Sequence, residues 1–260
     1  MSPRVIVLAG LIASVLLCDP GSTARAQTAP ACPVSHERLV DALRKSVKPS
    51  GGPSNGGFDN NQWAAVVGRD GTVCAVGFSG NAWDDQWLGS RVIAAQKANT
   101  ANAFSLRAVA LSTANLFSGA QPGGFLYGIP AGQPSVADTA YAGEAAQFGG
   151  ASDPMLGKRL GGVIVFGGGL ALYDGSGLLG GVGVSGDTSC ADHNVAWRVR
   201  QALGLDKVPA GPGGLKTDGI VYDIGVTGSS TSGFGHPKCA AKEADVATDI
   251  GAGSSGLLAR

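Results

Sequence analysis

The pattern of apolar and polar residues in the first part of the chain predicts a helix, a hairpin and a second helix. Apolar residues recur at helical spacing after Ser35, a residue type that often caps a helix N-terminus. Two short apolar runs at 63–67 and 73–78 flank an Arg-Asp-Gly turn, which is typical of a β-hairpin. Residues 90–104 predict a helix with one flat face of small residues that can pack tightly on a sheet: Ala94, Ala98 and Ala101.

The middle of the chain predicts a loop insertion followed by strands. Residues 112–120 predict a short helix, and residues 121–157 form a long segment rich in Gly, Pro and Ala. Three strand candidates then follow one another closely, at 162–166, 170–173 and 178–185. Gly-rich turns separate these strands, so we expect them to be antiparallel neighbours.

The last part predicts one more helix and a long extension. A helix is expected over 189–203, with Ser189 and Asp192 at the spacing of a capping box. Beyond Pro209 the chain is Gly/Ser-rich, with a short strand expected at 220–224 and a mobile tail over the last twenty residues. The order of elements predicts an α+β fold on an antiparallel sheet, with a domain at 27–208 and a C-terminal extension at 209–260.

The first 26 residues have the pattern of a signal peptide. Arg4 supplies the positive charge, residues 5–17 form an apolar run, and Ala24 and Ala26 are the small residues before the cleavage point. The apolar run is shorter than the ~20 residues that a membrane helix needs. We therefore expect a periplasmic or secreted protein that is not integral to the membrane.

Charge and composition narrow the class of protein. Lys+Arg and Asp+Glu are equal at 19 each, which argues against a general affinity for nucleic acid or anionic lipid. Glycine accounts for 43 of the 260 residues and charged residues for only 15%. That mixture suits tight turns and closely packed backbones rather than a charged helical bundle.

Four cysteines remain after the signal peptide, and in an oxidising compartment they predict two disulfides. Sequence alone leaves three pairings open; we favour Cys190 with Cys239, and therefore Cys32 with Cys74. The alternative is a zinc site, because Cys190-x-x-His193 and His236-x-x-Cys239 together supply four tetrahedral ligands. An exported chain would more readily oxidise the two thiols, which favours the disulfide and a tether on the extension.

Two blocks of sequence resemble the GlcG/HbpS family. The first is the helix at 90–101, with Lys97-Ala98-Asn99-Thr100-Ala101 followed by Phe104. The second is Gly-Gly-Val at 161–163, Gly-Gly-Val-Gly-Val-Ser-Gly at 180–186, and Asp192. With the hairpin, the resemblance covers residues 35–204. His193 stands where the family has an acidic residue, and no Glu-x-x-Glu pair for iron is found in the predicted helices.

The resemblance implies a profilin-like α-β-α sandwich with a five-stranded antiparallel sheet. It also implies non-covalent binding of haem or a related tetrapyrrole, often in a homo-oligomer. Some relatives use this binding for haem transport or redox sensing, which would imply a membrane sensor or transporter as partner. Cys-x-x-Cys-His is absent from the sequence, which excludes covalent c-type attachment.

The candidate axial ligands are the histidines His36, His193 and His236. His193 is favoured because Trp197 and Arg200 follow it at i+4 and i+7, giving an imidazole, an aromatic wall and a cation on one helix face. Alternatively, these three residues do not bind haem and form an exposed polar helix face at an oligomer interface.

The stripe of Lys97, Thr100 and Phe104 is the second part of the predicted haem site. Lys97 and Thr100 could hold a propionate, and the family block centres on them. Alternatively, Lys97 extends along the edge of a packed stripe and Thr100 bonds back to the preceding turn.

The leading hypothesis is an exported haem-binding protein that carries or senses haem and is not an enzyme. The alternative is an exported structural or interaction module of the same fold without a ligand. An enzyme is disfavoured because the sequence shows no plausible nucleophile–base pair and no clustered carboxylates.

Overall fold

A computed structural model describes residues 31–254, so the predicted signal peptide lies outside the described residues. The helices are α1 (His36–Ser46), α2 (Leu88–Phe104), the short α3 (Ile129–Gly132) and α4 (Ala137–Ala140), α5 (Ser189–Leu203) and α6 (Ala241–Asp249). The strands are β1 (Trp63–Gly68), β2 (Val73–Phe78), β3 (Gly169–Asp174), β4 (Gly177–Ser185), β5 (Ile220–Val221) and β6 (Gly253–Ser254). Across this described part, every helix is too short or too polar to span a bilayer.

The main sheet has the strand order β2-β1-β4-β3, and every pair in it is antiparallel. The predicted hairpin of β1 and β2 is confirmed, with Trp63 opposite Phe78, and the other edge of β1 pairs with β4, with Trp63 opposite Ser185. Residues 31–254 thus give a mixed helix-and-sheet fold with four strands in the main sheet, and the expected fifth strand is not confirmed.

Helices cover both faces of the main sheet because its strands are apolar on both sides. On one face, residues of β1 pack with α2: Trp63, Ala65 and Val67. On the other face, the alternate residues Ala64 and Val66 pack with α1 and α5. This alternation follows from the two-residue period of a strand, and it puts α2 and α5 on opposite sides of the sheet.

Helix α2 lies directly on the backbone of β4. A Cβ atom on Gly183 would be 2.0 Å from the carbonyl oxygen of Ala94, and one on Gly181 would be 2.3 Å from that of Ala98. Both alanines are fully buried, so the predicted small-residue face of this helix is confirmed. The glycines of β4 are therefore required for the close approach of helix and sheet.

The strand predicted at 162–166 does not form. The backbone N–H of Ile164 donates to Thr100 Oγ1 at 3.0 Å, and the carbonyl of Gly162 accepts from Asn99 Nδ2 at 2.9 Å. Side chains of α2 thus satisfy the polar backbone groups that a neighbouring strand would otherwise pair with.

Two predicted helices differ in detail. The region 112–120 forms two 3₁₀ turns, Thr113–Leu116 and Ser118–Ala120, instead of one helix. Helix α5 spans the predicted residues, but its N-cap is Thr188, whose side chain accepts from the N–H of Ala191. Asp192 is not part of a capping box; its Oδ1 accepts from the backbone N–H of Asp187 at 2.9 Å.

The expectation of a mobile tail is wrong for residues 241–254. They form α6 and β6, and β6 pairs in parallel with β5, which is shorter than the strand predicted at 220–224. Ala247 and Ala252 are fully buried in the same core cluster as α5. The segment is therefore attached to the core through small apolar residues. Such residues give only a weak periodic pattern in the sequence, so the prediction missed this helix.

Both favoured disulfides are present, Cys32–Cys74 and Cys190–Cys239. The first joins the segment before α1 to β2, and the second joins the segment before α6 to the first turn of α5. The predicted tether of the extension through Cys239 is therefore confirmed.

Candidate functional site

Lys97 is completely buried and already has an anionic partner. Its Nζ donates to Asp192 Oδ2 at 2.6 Å and to the carbonyl of Val184 at 3.0 Å. Burial lowers the pKa of Lys97 and raises the pKa of Asp192 to about 6, while the attraction between the two groups opposes both shifts. In this arrangement the charge of Lys97 is neutralised inside the protein.

Arg200 is neutralised in the same way. Its guanidinium binds the Asp218 carboxylate through two bonds, Nη1–Oδ2 at 2.7 Å and Nη2–Oδ1 at 2.8 Å, and both side chains are buried. Nη1 also donates to the carbonyl of Ala171 at 3.1 Å. This ion pair connects α5 to the C-terminal extension.

Thr100 makes the bond to the preceding turn that was the alternative interpretation of this residue. Thr100 Oγ1 donates to the carbonyl of Gln96 at 2.8 Å, one turn earlier, and accepts from the N–H of Ile164. Phe104 is half-buried at the end of α2. Thr100 therefore helps to hold the 162–164 segment on the helix.

His193 lies in a row with Trp197 and Arg200, as predicted, but the row is buried. The rings of His193 and Trp197 are 6.2 Å apart, and the Arg200 guanidinium lies 4.6 Å from the Trp197 ring. Neither ring nitrogen of His193 has a well-formed hydrogen bond to a described residue. Burial, with the charges of His236, Arg200 and Lys97, lowers the pKa of His193 to about 3, so the ring is neutral.

The Lys97–Asp192 contact brings Lys97 beside the helix that carries His193, Trp197 and Arg200, and the charged and imidazole groups there are buried. Lys97, His193 and Arg200 are each no more than 1% exposed. α2 and α5 lie on opposite faces of the sheet, and the Lys97 side chain reaches from α2 to Asp192 of α5. The contacts of these residues with haem remain a prediction.

An open cleft of about 560 Å³ lies elsewhere, on the side of α1. This volume is within the range of small-molecule and cofactor sites. Three separate segments form its walls: α1, the turn after β2, and the loop at 146–150. The lining residues are His36, Val40, Arg44, Phe78, Gly80, Asn81, Ala82, Trp83, Ala146, Phe148, Gly149 and Gly150.

Two aromatic side chains that line the cleft also contact buried residues of the core. Phe78 stacks on the buried Trp63 with ring centroids 4.2 Å apart. Phe148 lies 3.9 Å from the guanidinium of Arg91, which is itself held by a buried ion pair with Asp153. These apolar walls are therefore supported by the core.

His36 contributes its imidazole ring to the lining of the cleft. Its Nδ1 is 2.9 Å from the carbonyl oxygen of Val76. A carbonyl can only accept, so Nδ1 carries the proton and Nε2 has the free lone pair. Within the described part of the chain, Nε2 has no hydrogen-bond partner and the exposed Arg44 makes no ion pair. The cleft thus combines an available imidazole nitrogen, aromatic walls and an unneutralised cation.

The sequence had identified His36 as one of three candidate ligands but gave no reason to prefer it. Val40 and Arg44 follow His36 at i+4 and i+8, which is one face of α1. Phe78, Trp83 and Phe148 come from distant segments, and only the fold brings them beside that face.

Comparison with solved structures finds matches at low identity. The crystal structure of a PduOC:haem complex is 23% identical, with 64% of this chain and 89% of that chain covered and a TM-score of 0.44. Klebsiella pneumoniae protein ORFY is 20% identical, with coverage of 70% and 95% and a TM-score of 0.47. A double mutant of Streptomyces reticuli HbpS is 18% identical, with coverage of 74% and 99% and a TM-score of 0.44.

Comparison with curated proteins gives no match. A family model described as "Haem degrading protein HbpS-like" matches residues 59–200, from the segment before β1 almost to the end of α5. Since this match spans more than half of the chain, the protein belongs to the HbpS-like family that this model describes.

Proposed function

We propose that this protein binds haem non-covalently in the cleft beside α1. The observation that carries the proposal is His36, which lines a cleft of about 560 Å³ while its Nδ1 is committed to the Val76 carbonyl. Histidines that bind metals usually donate their other N–H to a carbonyl or carboxylate in this way. Family membership supports haem as the ligand.

The residues of the cleft fit the parts of a haem group. His36 Nε2 would be the axial ligand, Arg44 would pair with a propionate, and Phe78, Trp83 and Phe148 would contact the porphyrin. Bound haem would supply iron for ligand binding or electron transfer. The protein would select it by the imidazole, the apolar walls and the cation.

We assign His193, Lys97 and Arg200 to the fold rather than to direct haem contact. Lys97 and Arg200 each have a buried carboxylate partner. For His193 to meet haem, the segment that contains His236 and Ala252 would have to leave α5. His193 therefore serves as the second candidate ligand in the experiment below.

We further propose that the protein acts outside the cytoplasm, in haem carriage or redox sensing, as a homo-oligomer with a membrane sensor or transporter as partner. The two disulfides support this location, because such bonds persist in oxidising compartments.

Hemin titration of the full chain tests the proposal. We expect a saturable Soret shift at micromolar protein, loss of the histidine-ligated spectrum in His36→Ala, and weaker binding by roughly tenfold in Arg44→Ala, as for one lost charge-assisted contact of about 1.4 kcal/mol. His193→Ala is the matched control and should titrate like wild type.

The outcomes separate the two sites from the function itself. A flat wild-type titration would refute haem binding and favour an interaction module. If the hemin spectrum changes in His193→Ala but not in His36→Ala, the axial ligand is His193 of α5 rather than His36. Haem degradation, which the family description names, would be seen as a loss of Soret absorbance with time after a reductant is added.

A further inference from the structure

Three metal-ligating side chains meet at the first turn of α5, away from the cleft. One ligand atom from each of Cys190, His236 and Cys239 lies within 4.8 Å of the other two. Cys190 Sγ is 3.9 Å from His236 Nδ1. The two sulfurs form a disulfide here. His193, which the sequence offered as a fourth ligand, is not a member of this group.

His236 is oriented as a metal ligand would be. Its Nδ1 lies 2.7 Å from the carbonyl oxygen of Pro237 and therefore carries the proton. The lone pair is on Nε2, which accepts a long bond of 3.2 Å from the N–H of Gly167 and lies 3.4 Å from Ser189 Oγ.

The two sulfurs differ in access and lie at the start of a helix. Cys190 is buried, whereas Cys239 is exposed and can be reached by a reductant. Cys239 Sγ accepts from the backbone N–H of Cys190 at 3.3 Å, in the first turn of the fifteen-residue helix α5. Such a helix N-terminus carries a partial positive charge that stabilises anions.

We propose that Cys190, Cys239 and His236 form a redox-controlled site for a soft divalent metal ion such as Zn²⁺. A dithiol reductant passes two electrons and two protons to the disulfide, giving two thiols and the oxidised cyclic disulfide of the reductant. The metal ion then displaces the two thiol protons and is bound by two thiolates and the His236 imidazole. Two sulfurs and one imidazole are ligands that Zn²⁺ prefers.

Three protein ligands leave one position of a tetrahedral site for another group. Ser189 Oγ is 3.4 Å from both Cys239 Sγ and His236 Nε2, so its hydroxyl or a water molecule can occupy this position. Zinc sites with three protein ligands and one exchangeable position are those that react with small molecules. The inference does not depend on haem binding.

Cobalt titration of the full chain tests this site. The protein is reduced with a dithiol, freed of reductant without air, and titrated with Co²⁺ as the probe. We expect one Co²⁺ per chain, with thiolate charge-transfer bands and visible bands of tetrahedral cobalt, and displacement by Zn²⁺. The oxidised protein should show none of these bands.

Variants separate this site from the second disulfide. Cys190→Ser and His236→Ala should lose the bands, or bind Co²⁺ at least ~10-fold more weakly. The double variant Cys32→Ser/Cys74→Ser removes the other pair and should keep them. Within the described residues, Cys32 and Cys74 belong to no cluster of metal ligands.

The inference is overturned if reduced wild type gives no thiolate–cobalt bands, or if the bands persist unchanged in both Cys190→Ser and His236→Ala. Loss of the folded circular dichroism spectrum on reduction would also overturn it, because the ligands converge only when α5 and the extension are folded. Hemin titration of the same samples reports the α1 cleft separately.

Discussion

Replacing Lys97 by Met should destabilise the protein far more than removing a surface lysine. Lys97 and Asp192 are 0% and 2% exposed, with Nζ and Oδ2 2.6 Å apart. Without the ammonium group, the carboxylate is left buried with no cation, which typically costs about 3–5 kcal/mol. That is a large part of the 5–15 kcal/mol by which a typical domain is stable.

The loss should also depend on pH. Burial raises the pKa of Asp192 to about 6 even though Lys97 pulls it down. In Lys97→Met the pKa is higher still, so at pH ~5 the carboxyl group is protonated and its burial costs little. Between pH ~5 and ~8, the folded variant must either keep this proton or bury the charged carboxylate. Its free energy of unfolding therefore falls by up to about 1.4 kcal/mol per pH unit. The variant should therefore lose more stability at the higher pH.

Guanidinium denaturation at both pH values measures the effect. Wild type, Lys97→Met, Asp192→Asn and the double variant form a cycle whose coupling energy isolates the pair. Lys48→Met is the matched control, because Lys48 lies 2.7 Å from Asp59 with its side chain 59% exposed. Loss of such a surface pair costs below about 1 kcal/mol. Equal losses for the two lysine variants, or a loss at Lys97 independent of pH, would refute the reasoning.

Three further perturbations test other parts of the structure. Gly183→Ala places a Cβ 2.0 Å from the carbonyl oxygen of Ala94 and should lower the free energy of unfolding by about 1–3 kcal/mol in denaturant titrations. The control Gly175→Ala, whose Cβ would have nothing within 4 Å, should be nearly neutral. Equal effects of the two substitutions would contradict the close packing of α2 on β4. Because the pKa of His193 is lowered to about 3 in the folded protein, this residue becomes protonated at a higher pH in the unfolded chain than in the folded chain. The stability that the neutral His193 contributes is complete above pH ~6.5 and is lost as pH falls toward ~3, and about 2 kcal/mol of it is lost between pH ~7 and ~5. The variant His193→Phe should therefore lose correspondingly less stability over that interval. An unchanged pH dependence in this variant would contradict the burial of His193. Ending the chain at residue 240 removes Ala247 and Ala252 from the core and should cost at least ~2 kcal/mol; an unshifted unfolding midpoint would mean that the extension is only loosely attached.

Local patterns were enough to predict the elements whose hydrogen bonds and caps are local. The β1–β2 hairpin, α2 and α5 lie where the sequence indicated. Ser35 caps α1 as predicted, with its side chain accepting from the N–H of Arg38. The cysteine pairing was favoured correctly among three alternatives.

Sequence reasoning failed where the partner of a group is distant in the chain. The segment at 162–166 has the composition of a strand, but Asn99 and Thr100 of α2 satisfy its backbone. The family block suggested Lys97 as a propionate ligand, and nothing in the sequence shows that Asp192 pairs with it in the fold. For the same reason the cleft beside α1 could not be predicted, since its walls come from three separated segments.

The contact of α2 with the glycines of β4 divides the molecule into a stiff part and an adjustable part. Where helix carbonyls lie on strand backbone, no side chain between them can change rotamer to absorb a shift. The wall of the cleft formed by α1 is instead joined to the sheet through side chains such as Leu39 and Leu43. When a flat ligand enters that cleft, amide hydrogen exchange should slow in α1 and the 146–150 loop and stay unaltered in α2.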